Sequence, residues 1–381
     1  MTKKILTTPT LQKLFDLLNG QVYFVGGAVR DLLMNRPVHD VDLTTPLTPD
    51  QVVDCLKNSD IRIHPTGIEH GTLTLAFTDK TTAEITSFRD DVKTDGRHAQ
   101  VAFGTDIKQD ALRRDFTINA LYMDEKGQIL DFVGGLKDLK KKKLRFIGNP
   151  KKRIKEDALR ILRYFRFFAQ IEPKRIDLSA LKACREGRDL LDKLSKERIR
   201  DEMFKLLSVS DPQKALLLMA RTGVLKKVVG KYNRMALKHL IKKEKQAGIQ
   251  TDALFRLWIL CEKKLPEWPF TRTQKKQVLL WNLGLNMPFE TMENLYAALY
   301  RLNREAFLNL ILLKKKKITF TSFCFYSKLQ MPIAPFNAAD VAAVFHLEGK
   351  ELGEKIKFCE DVWLKMNRPT KKEVVFKKIL S

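Results

Sequence analysis

Near residue 145 the apolar pattern of this 381-residue chain changes period. Ahead of that point short β-rich runs alternate with helical stretches, and beyond it the apolar runs recur at helical spacing. Strands are predicted over 22–25, 39–44, 61–63, 73–77, 83–88 and 129–132, with helices over 11–18, 28–34, 49–57 and 112–122. Residues 89–105 are polar, contain Gly96 and Gly104, and read as a long excursion. Later helices are predicted over 157–170, 178–185, 196–207, 213–221, 235–244 and 251–261. They continue over 274–283, 290–302, 304–313, 338–346 and 352–366. The Pro-containing stretches 264–272 and 331–336 mark sub-boundaries, and no 30–50-residue repeat is present. The expected fold class is α+β, a head with a mixed sheet followed by an all-α remainder.

Charge divides at the same place. The chain carries 70 Lys and Arg against 45 Asp and Glu, a net charge of +25. Residues 1–140 hold 17 basic and 20 acidic side chains, whereas residues 141–381 hold 53 and 25. A mildly acidic head joined to a basic helical arm suggests that the head handles a small substrate with metal and the arm a polyanion. Nucleic acid is the polyanion expected, because each phosphate neutralised by Lys or Arg releases counterions. The lysine runs 140–143 and 314–317 read as solvated surface.

At 44% apolar residues the chain has ample material for a core. No apolar run approaches the ~18–20 residues of a membrane span, and the N-terminus lacks the apolar core of a secretory signal. Neither secretion nor membrane insertion is expected, although residues 3–18 allow a basic amphipathic segment of the kind used for mitochondrial import. Five scattered cysteines with no C-x-x-C pair suggest a reducing, cytoplasmic setting. The six histidines form no metal-binding spacing, and His39-Asp40 lacks the further ligands of a phosphohydrolase.

Three constellations carry chemistry. In the first, Val25-Gly26-Gly27-Ala28-Val29-Arg30-Asp31 is followed by His39-Asp40-Val41-Asp42. A Gly pair between strand and helix lets backbone N–H groups approach phosphate oxygens, with Arg30 one helical turn on. Asp40 and Asp42, two apart on a strand, project from one face. Mg²⁺ favours a few carboxylates plus substrate phosphates, so this pair suits ions that activate a hydroxyl and stabilise departing pyrophosphate. Glu84 is either a third carboxylate or a surface strand residue.

The second constellation is Leu112-Arg113-Arg114-Asp115-Phe116-Thr117-Ile118-Asn119, in which Asp115 caps or orients a helix and an Arg reaches a triphosphate or ribose. The third runs from Glu156-Asp157 to Phe168. Helical arithmetic places Ala158, Ile161, Leu162, Phe165 and Phe168 on one apolar stripe, with Arg160, Arg163 and Arg166 opposite it. Asp157 lies ~60° beyond Arg160 on the same wheel. Cytosine and adenine both offer an amino donor beside a ring-nitrogen acceptor. An Asp accepting from the amine and an Arg donating to the nitrogen would select them and reject uracil and guanine, whose polarity is reversed.

These three blocks together resemble the class II tRNA nucleotidyltransferase/poly(A) polymerase family, within the DNA polymerase β superfamily. The likeness is close over about 20–170, continues through Leu194–Glu202 and weakens beyond ~210. The resemblance implies a crescent with a nucleotidyltransferase head (1–145), a helical neck for base selection (146–208), a helical body (209–285) and a tRNA-binding tail (286–381). By it, Asp40 and Asp42 hold Mg²⁺, and Gly27, Arg30 and Arg114 engage the phosphates and sugar. Asp157 and Arg160 read the base, with Arg163 and Arg166 beside them. The family's flexible loop maps to about 89–106, including Asp95-Gly96-Arg97-His98-Ala99. The expected activity is template-independent addition of C, C and A to the 3′ end of tRNA from CTP and ATP. Poly(A) synthesis, A-only addition and a non-catalytic RNA-binding protein are the alternatives, and protein partners are unknown.

Overall fold

The computed structural model describes residues 8–38, 41–64, 71–90, 102–366 and 368–381. The chain divides into two compact units, Met1–Glu202 with Lys214–Val228, and Met203–Gln213 with Val229–Ser381.

The first unit is organised by strands β1 (Tyr23–Val25), β2 (Val41–Thr45), β3 (Arg62–His64), β4 (Thr72–Ala76) and β5 (Thr82–Ser87). The short β6 (Arg89–Asp90) and β7 (Ala102–Phe103) pair apart from them, and β8 (Leu121–Met123) and β9 (Ile129–Asp131) follow. Seven strands form one sheet in the order β3-β4-β5-β2-β1-β8-β9. β2 and β5 are parallel, whereas the other pairs are antiparallel. A parallel pair needs a crossover. Here the helix Pro49–Leu56, with β3 and β4, fills the interval.

Local signals set the helices of this unit. Helix α1 (Pro9–Leu17) is capped by the Thr8 side chain and buries Leu11, Leu14 and Phe15, the i, i+3, i+4 face of an amphipathic helix. Helix α2 (Gly27–Leu33) leaves β1 through Gly26, and α3 (Pro49–Leu56) opens with a Thr48/Gln51 capping box. Then come α4 (Ile107–Arg113), α5 (Gly135–Lys140), α6 (Pro150–Glu156), α7 (Leu159–Ile171), α8 (Leu178–Gly187) and α9 (Lys196–Leu207), with α10 (Gln213–Arg221) and α11 (Val224–Val229).

An aromatic core joins sheet-side and helical segments. Phe116 packs on Phe146 at 4.7 Å and on Phe167 of α7 at 5.4 Å, and Phe146 stacks on Tyr164 at 5.7 Å. All four rings are buried. Each is worth about 1.5–3 kcal/mol of transfer free energy, so α7 is fixed against the segment after α4.

The second unit holds helices at Arg234–Ala247, Ala253–Leu260, Arg272–Leu285, Met292–Arg301, Arg304–Lys314, Phe320–Lys328, Ala338–Phe345, Gly349–Lys365 and Lys372–Leu380. Phe255, Trp258 and Trp281 pack at 4.9–5.6 Å in one of its cores. Val341, Cys359, Trp363 and Val375 anchor another.

The sequence expectations differ from this fold in instructive places. Residues 112–122 are not one helix. Helix α4 stops at Arg113, a 3₁₀ turn covers Thr117–Asn119 and strand β8 begins at Leu121. Asp115 diverts the chain by accepting from its neighbour Phe116 N and from Asn119 Nδ2. Strand β8 is buried on both faces, so it shows no alternation. Asp157, expected within a helix, has extended backbone and separates α6 from α7. Lys314 and Lys315 are not simply solvated. Lys314 Nζ donates to Leu285 O at 2.8 Å and to Met287 O, while Lys315 Nζ donates to Phe289 O at 2.5 Å. Lys314 thus satisfies the last carbonyl of the helix Arg272–Leu285 and one just beyond it, and Lys315 a carbonyl of the segment that follows. The helices Phe320–Lys328 and Lys372–Leu380 were not expected from spacing.

Candidate active site

The site grows from the turn between β1 and α2. Gly26 has φ +66° and ψ −116°, backbone that favours glycine, and its N–H donates to Leu121 O at 3.1 Å. A Cβ at Gly26 would lie 3.5 Å from Arg114 Nη1, and one at Gly27 would lie 3.7 Å from Asp42 Oδ2. The glycine pair thus runs between an arginine and a carboxylate.

Asp42 lies on β2 in register with Glu84 of β5, and Glu84 is in register with Thr74 of β4. Both acids line a cavity of about 360 Å³ whose wall also includes Arg89, Arg113, Arg114 and Arg160. Oxygen ligands beside guanidinium groups form a place for a cation and a polyphosphate together. Asp40 and the 95–99 segment lie outside the described residues. Among the described residues no group of three or more His, Cys, Asp or Glu side chains is placed to hold a metal ion.

The arginines are held from behind. Asp110, on α4, accepts from Arg113 Nε through Oδ1 at 2.9 Å, and from Arg114 Nε and Nη2 through Oδ2 at 3.1 and 2.9 Å. Buried Tyr122 of β8 donates its hydroxyl to the same Oδ2 at 2.7 Å and accepts from Arg114 Nε at 3.0 Å. Burial pushes the Asp110 carboxyl up, but the two guanidinium groups and the tyrosine outweigh it and hold it below the usual range. Burial, with Asp110 close by, raises the Tyr122 hydroxyl. Arg89 moves the other way, its pKa lowered by burial and then by Arg113.

The helical side of the cavity is another hydrogen-bonded unit. Arg160 Nη1 donates to Glu156 Oε2 at 2.6 Å and to Arg153 O at 2.8 Å, and its Nη2 reaches Arg113 O at 3.3 Å. Asp157 is not among the residues that line the cavity. Its Oδ1 accepts from Leu159 N at 3.0 Å, starting α7, and its Oδ2 pairs with Arg198 at 2.9 Å. That pair is largely exposed.

Arg30, Arg163 and Arg166 gather around one ring rather than at the cavity wall. Their guanidinium carbons lie 5.0, 5.4 and 4.2 Å from the Phe167 centroid. Arg30 is buried, donating to both oxygens of Asp31 and to Asn119 Oδ1 at 2.7 Å. Arg163 Nε donates to Asp115 Oδ2 at 2.6 Å. Burial opposes ionisation of Asp115, yet Arg163 and Asn119 keep its carboxyl below the usual range. Arg166 faces Glu202 at 2.8 Å as an ion pair without hydrogen-bond alignment. Burial, reinforced by Arg163 and Arg30 and opposed by Glu202, lowers Arg166 to about 10.

Of the residues singled out from sequence, Gly27, Asp42, Arg114 and Arg160 lie in or against the cavity. Arg30, Arg163 and Arg166 lie behind it, and Asp157 caps the helix that carries Arg160. Sequence reasoning left Glu84 undecided and missed Arg89, Asp110, Tyr122 and Arg153. Only the β2–β5 register exposes Glu84. For Asp110 the one local signal was its i+3 and i+4 spacing to two arginines.

The sheet, the strand–Gly–Gly–helix turn and the carboxylate–arginine cavity define the nucleotidyltransferase class of fold. Residues 22–145 match the poly A polymerase head domain, and residues 175–231 match the "Probable RNA and SrmB- binding site of polymerase A". The human mitochondrial CCA tRNA nucleotidyltransferase 1 is 44% identical over 201 residues, 52% of this chain and 46% of the relative. A CCA-adding enzyme of Streptococcus pyogenes is 40% identical over 248 residues, 62% of this chain and 60% of the relative. The chain thus spans about half to three-fifths of the length of these curated relatives. The crystal structure of the Bacillus stearothermophilus CCA-adding enzyme in complex with CTP superposes with a TM-score of 0.72 at 24% identity, covering 98% of each chain. Over residues 22–145 and 175–231 the chain is thus similar to the poly A polymerase head and RNA-binding domains, and its fold is like that of the CCA-adding enzyme.

Proposed function

We propose that this protein adds C, C and A to the 3′ end of tRNA without a template, consuming CTP and ATP and releasing pyrophosphate. The observation that carries this reading is the Asp42–Glu84 pair sharing one cavity with Arg113, Arg114 and Arg160. The names of the relatives, and the CTP seen with a protein of like fold, support it.

The donor set fits a divalent cation, with Mg²⁺ as the candidate. Asp42 and Glu84 offer hard oxygens from adjacent strands. A bound cation would favour ionisation of the attacking 3′-hydroxyl and neutralise charge on the leaving pyrophosphate.

The protein's own groups do the rest. Arg113 and Arg114, anchored by Asp110, bind the triphosphate through their remaining N–H donors. Arg160 donates to the base ring nitrogen and Asp157 accepts from the exocyclic amine. Exchanging the exposed Arg198–Asp157 pair for a base costs little, since such pairs are worth about 0–1 kcal/mol. Arg30, Arg163 and Arg166 serve the nucleotide indirectly, bracing Phe167 and the helix that carries Arg160. The head (1–145), neck (146–208), body (209–285) and tail (286–381) divide the labour. The basic helices hold tRNA mainly through phosphates. Among the described residues no helix is long and apolar enough to cross a membrane. The described cysteines are all free, in keeping with a cytoplasmic setting.

The test offers single nucleotides to tRNAs ending before the first C, after it and after the second. Incorporation of C, C and then A, stopping there, supports the reading. Long A tracts on unrelated RNA would favour poly(A) synthesis, addition of A alone an A-adding enzyme, and no incorporation a silent RNA binder.

A further inference from the structure

Arg153, on α6, is 7% exposed and does not line the cavity, yet it touches both halves of the cavity wall. One of its nitrogens, Nη2, donates to the carbonyls of both Arg113 and Arg114, the latter at 2.7 Å. The other, Nη1, donates to Glu156 Oε2 at 2.6 Å, and that oxygen also accepts from Arg160 Nη1 at 2.6 Å. The circle closes through the backbone, because Arg160 reaches Arg153 O at 2.8 Å and Arg113 O at 3.3 Å. A planar guanidinium with fixed donors can serve two carbonyls and a carboxylate at once, and an ammonium cannot reproduce that fork.

We propose that Arg153 is a positioning residue that locks Arg160 to the Arg113–Arg114 pair, so that base choice and triphosphate grip are set by one hydrogen-bonded unit. This rests on the nucleotidyl-transfer reading above and goes beyond it in naming what couples the two subsites. If Arg113 and Arg114 shift when the triphosphate binds, their carbonyls carry the shift through Arg153 and Glu156 to Arg160. Around the buried Arg153 guanidinium the shared acceptors hold these members more tightly than separate pairs would.

The experiment measures kcat and KM for CTP and for UTP on tRNA ending before the first C, with inhibition by inorganic pyrophosphate as a readout of phosphate binding alone. In Arg153→Lys, KM for CTP should rise about tenfold and pyrophosphate inhibition should weaken by a similar factor. Preference for CTP over UTP should also fall about tenfold, each a differential interaction of the size expected for a lost charge-assisted contact. Ile154→Val removes a methylene from the buried neighbour on the same helix. It should lower the melting temperature while leaving both readouts unchanged. If Arg153→Lys fails to fold by far-UV circular dichroism, Glu156→Gln cuts the same link at a half-exposed position and should move both readouts about threefold.

Movement of one readout without the other, or a change in stability alone, would overturn the proposal. Wild-type protein that incorporates no nucleotide would overturn the functional reading beneath it. Active wild type beside an Arg153→Lys variant of unchanged KM and selectivity would overturn this inference alone.

Discussion

Asp42 and Glu84 stand side by side in register on the parallel strands β2 and β5 and line the same cavity. Glu84→Gln keeps the shape of the side chain, removes the charge and replaces one acceptor oxygen by an NH2 donor. It should lower kcat for CTP at least about a hundredfold, the scale of a lost metal-linked charge, while tRNA binding measured by filter retention stays within about twofold. Asp42→Asn should behave alike. Unchanged turnover in Glu84→Gln would leave Glu84 as an ordinary strand residue.

Tyr122→Phe deletes one hydroxyl from the Asp110–Arg114 cluster. The ring remains to fill its site in the core, so the stability cost should be about 1–3 kcal/mol, measured by denaturant melts. Because Arg114 loses an anchor but no charge, KM should rise equally for CTP and ATP, with the choice between CTP and UTP unchanged. A change in selectivity would show that the cluster does more than hold the triphosphate.

In the second unit, Glu244 and Arg256 are both almost wholly buried and pair at 2.5 Å. Arg256 also donates to Leu207 O and Val209 O, and Glu244 accepts from Thr251 N at 3.1 Å. Glu244→Ala should cost about 3–5 kcal/mol, because it strands a buried guanidinium. Calorimetry should show the loss, and a shift smaller than that of a surface substitution would contradict the burial.

Glu305 has a pH signature of its own. A hydrogen bond with Asp252, aided by burial, raises its carboxyl from 4.5 to about 7. The folded state therefore binds more protons than the unfolded one between those values, and stability falls as pH rises through that window, levelling off above it. Glu305→Gln should lessen the drop in melting temperature between pH 5 and pH 8. An equal drop in wild type and variant would remove Glu305 from the account.

The sheet-and-helix head was legible in sequence because Val25-Gly26-Gly27 and Val41-Asp42-Leu43 carry their own backbone logic, a turn that requires glycine and a strand of alternating faces. The position of Glu84 was not, since it depends on a parallel pairing that no local pattern reports. Asp157 was misplaced on a helical wheel because an aspartate at a helix start is drawn into capping, which ends the periodicity it was counted in. Arg163 and Arg166 read as part of a basic face and Arg30 as an anion contact, but Arg30 is committed to Asp31 and Asn119 and Arg166 to the buried Glu202, and Arg163 meets Asp115 from a partly exposed position. Helical spacing marks which way a side chain points and not which partner meets it there.

The most direct measurement is the ratio of kcat/KM for CTP to that for UTP on tRNA lacking all three terminal nucleotides, compared between wild type, Asp157→Ala and Arg160→Ala. A protein pair that replaces a template predicts that this ratio falls at least about tenfold in each variant, a loss of roughly 1.4 kcal/mol or more of discrimination. Slower turnover of both nucleotides with the ratio intact would place the choice of base elsewhere in the molecule.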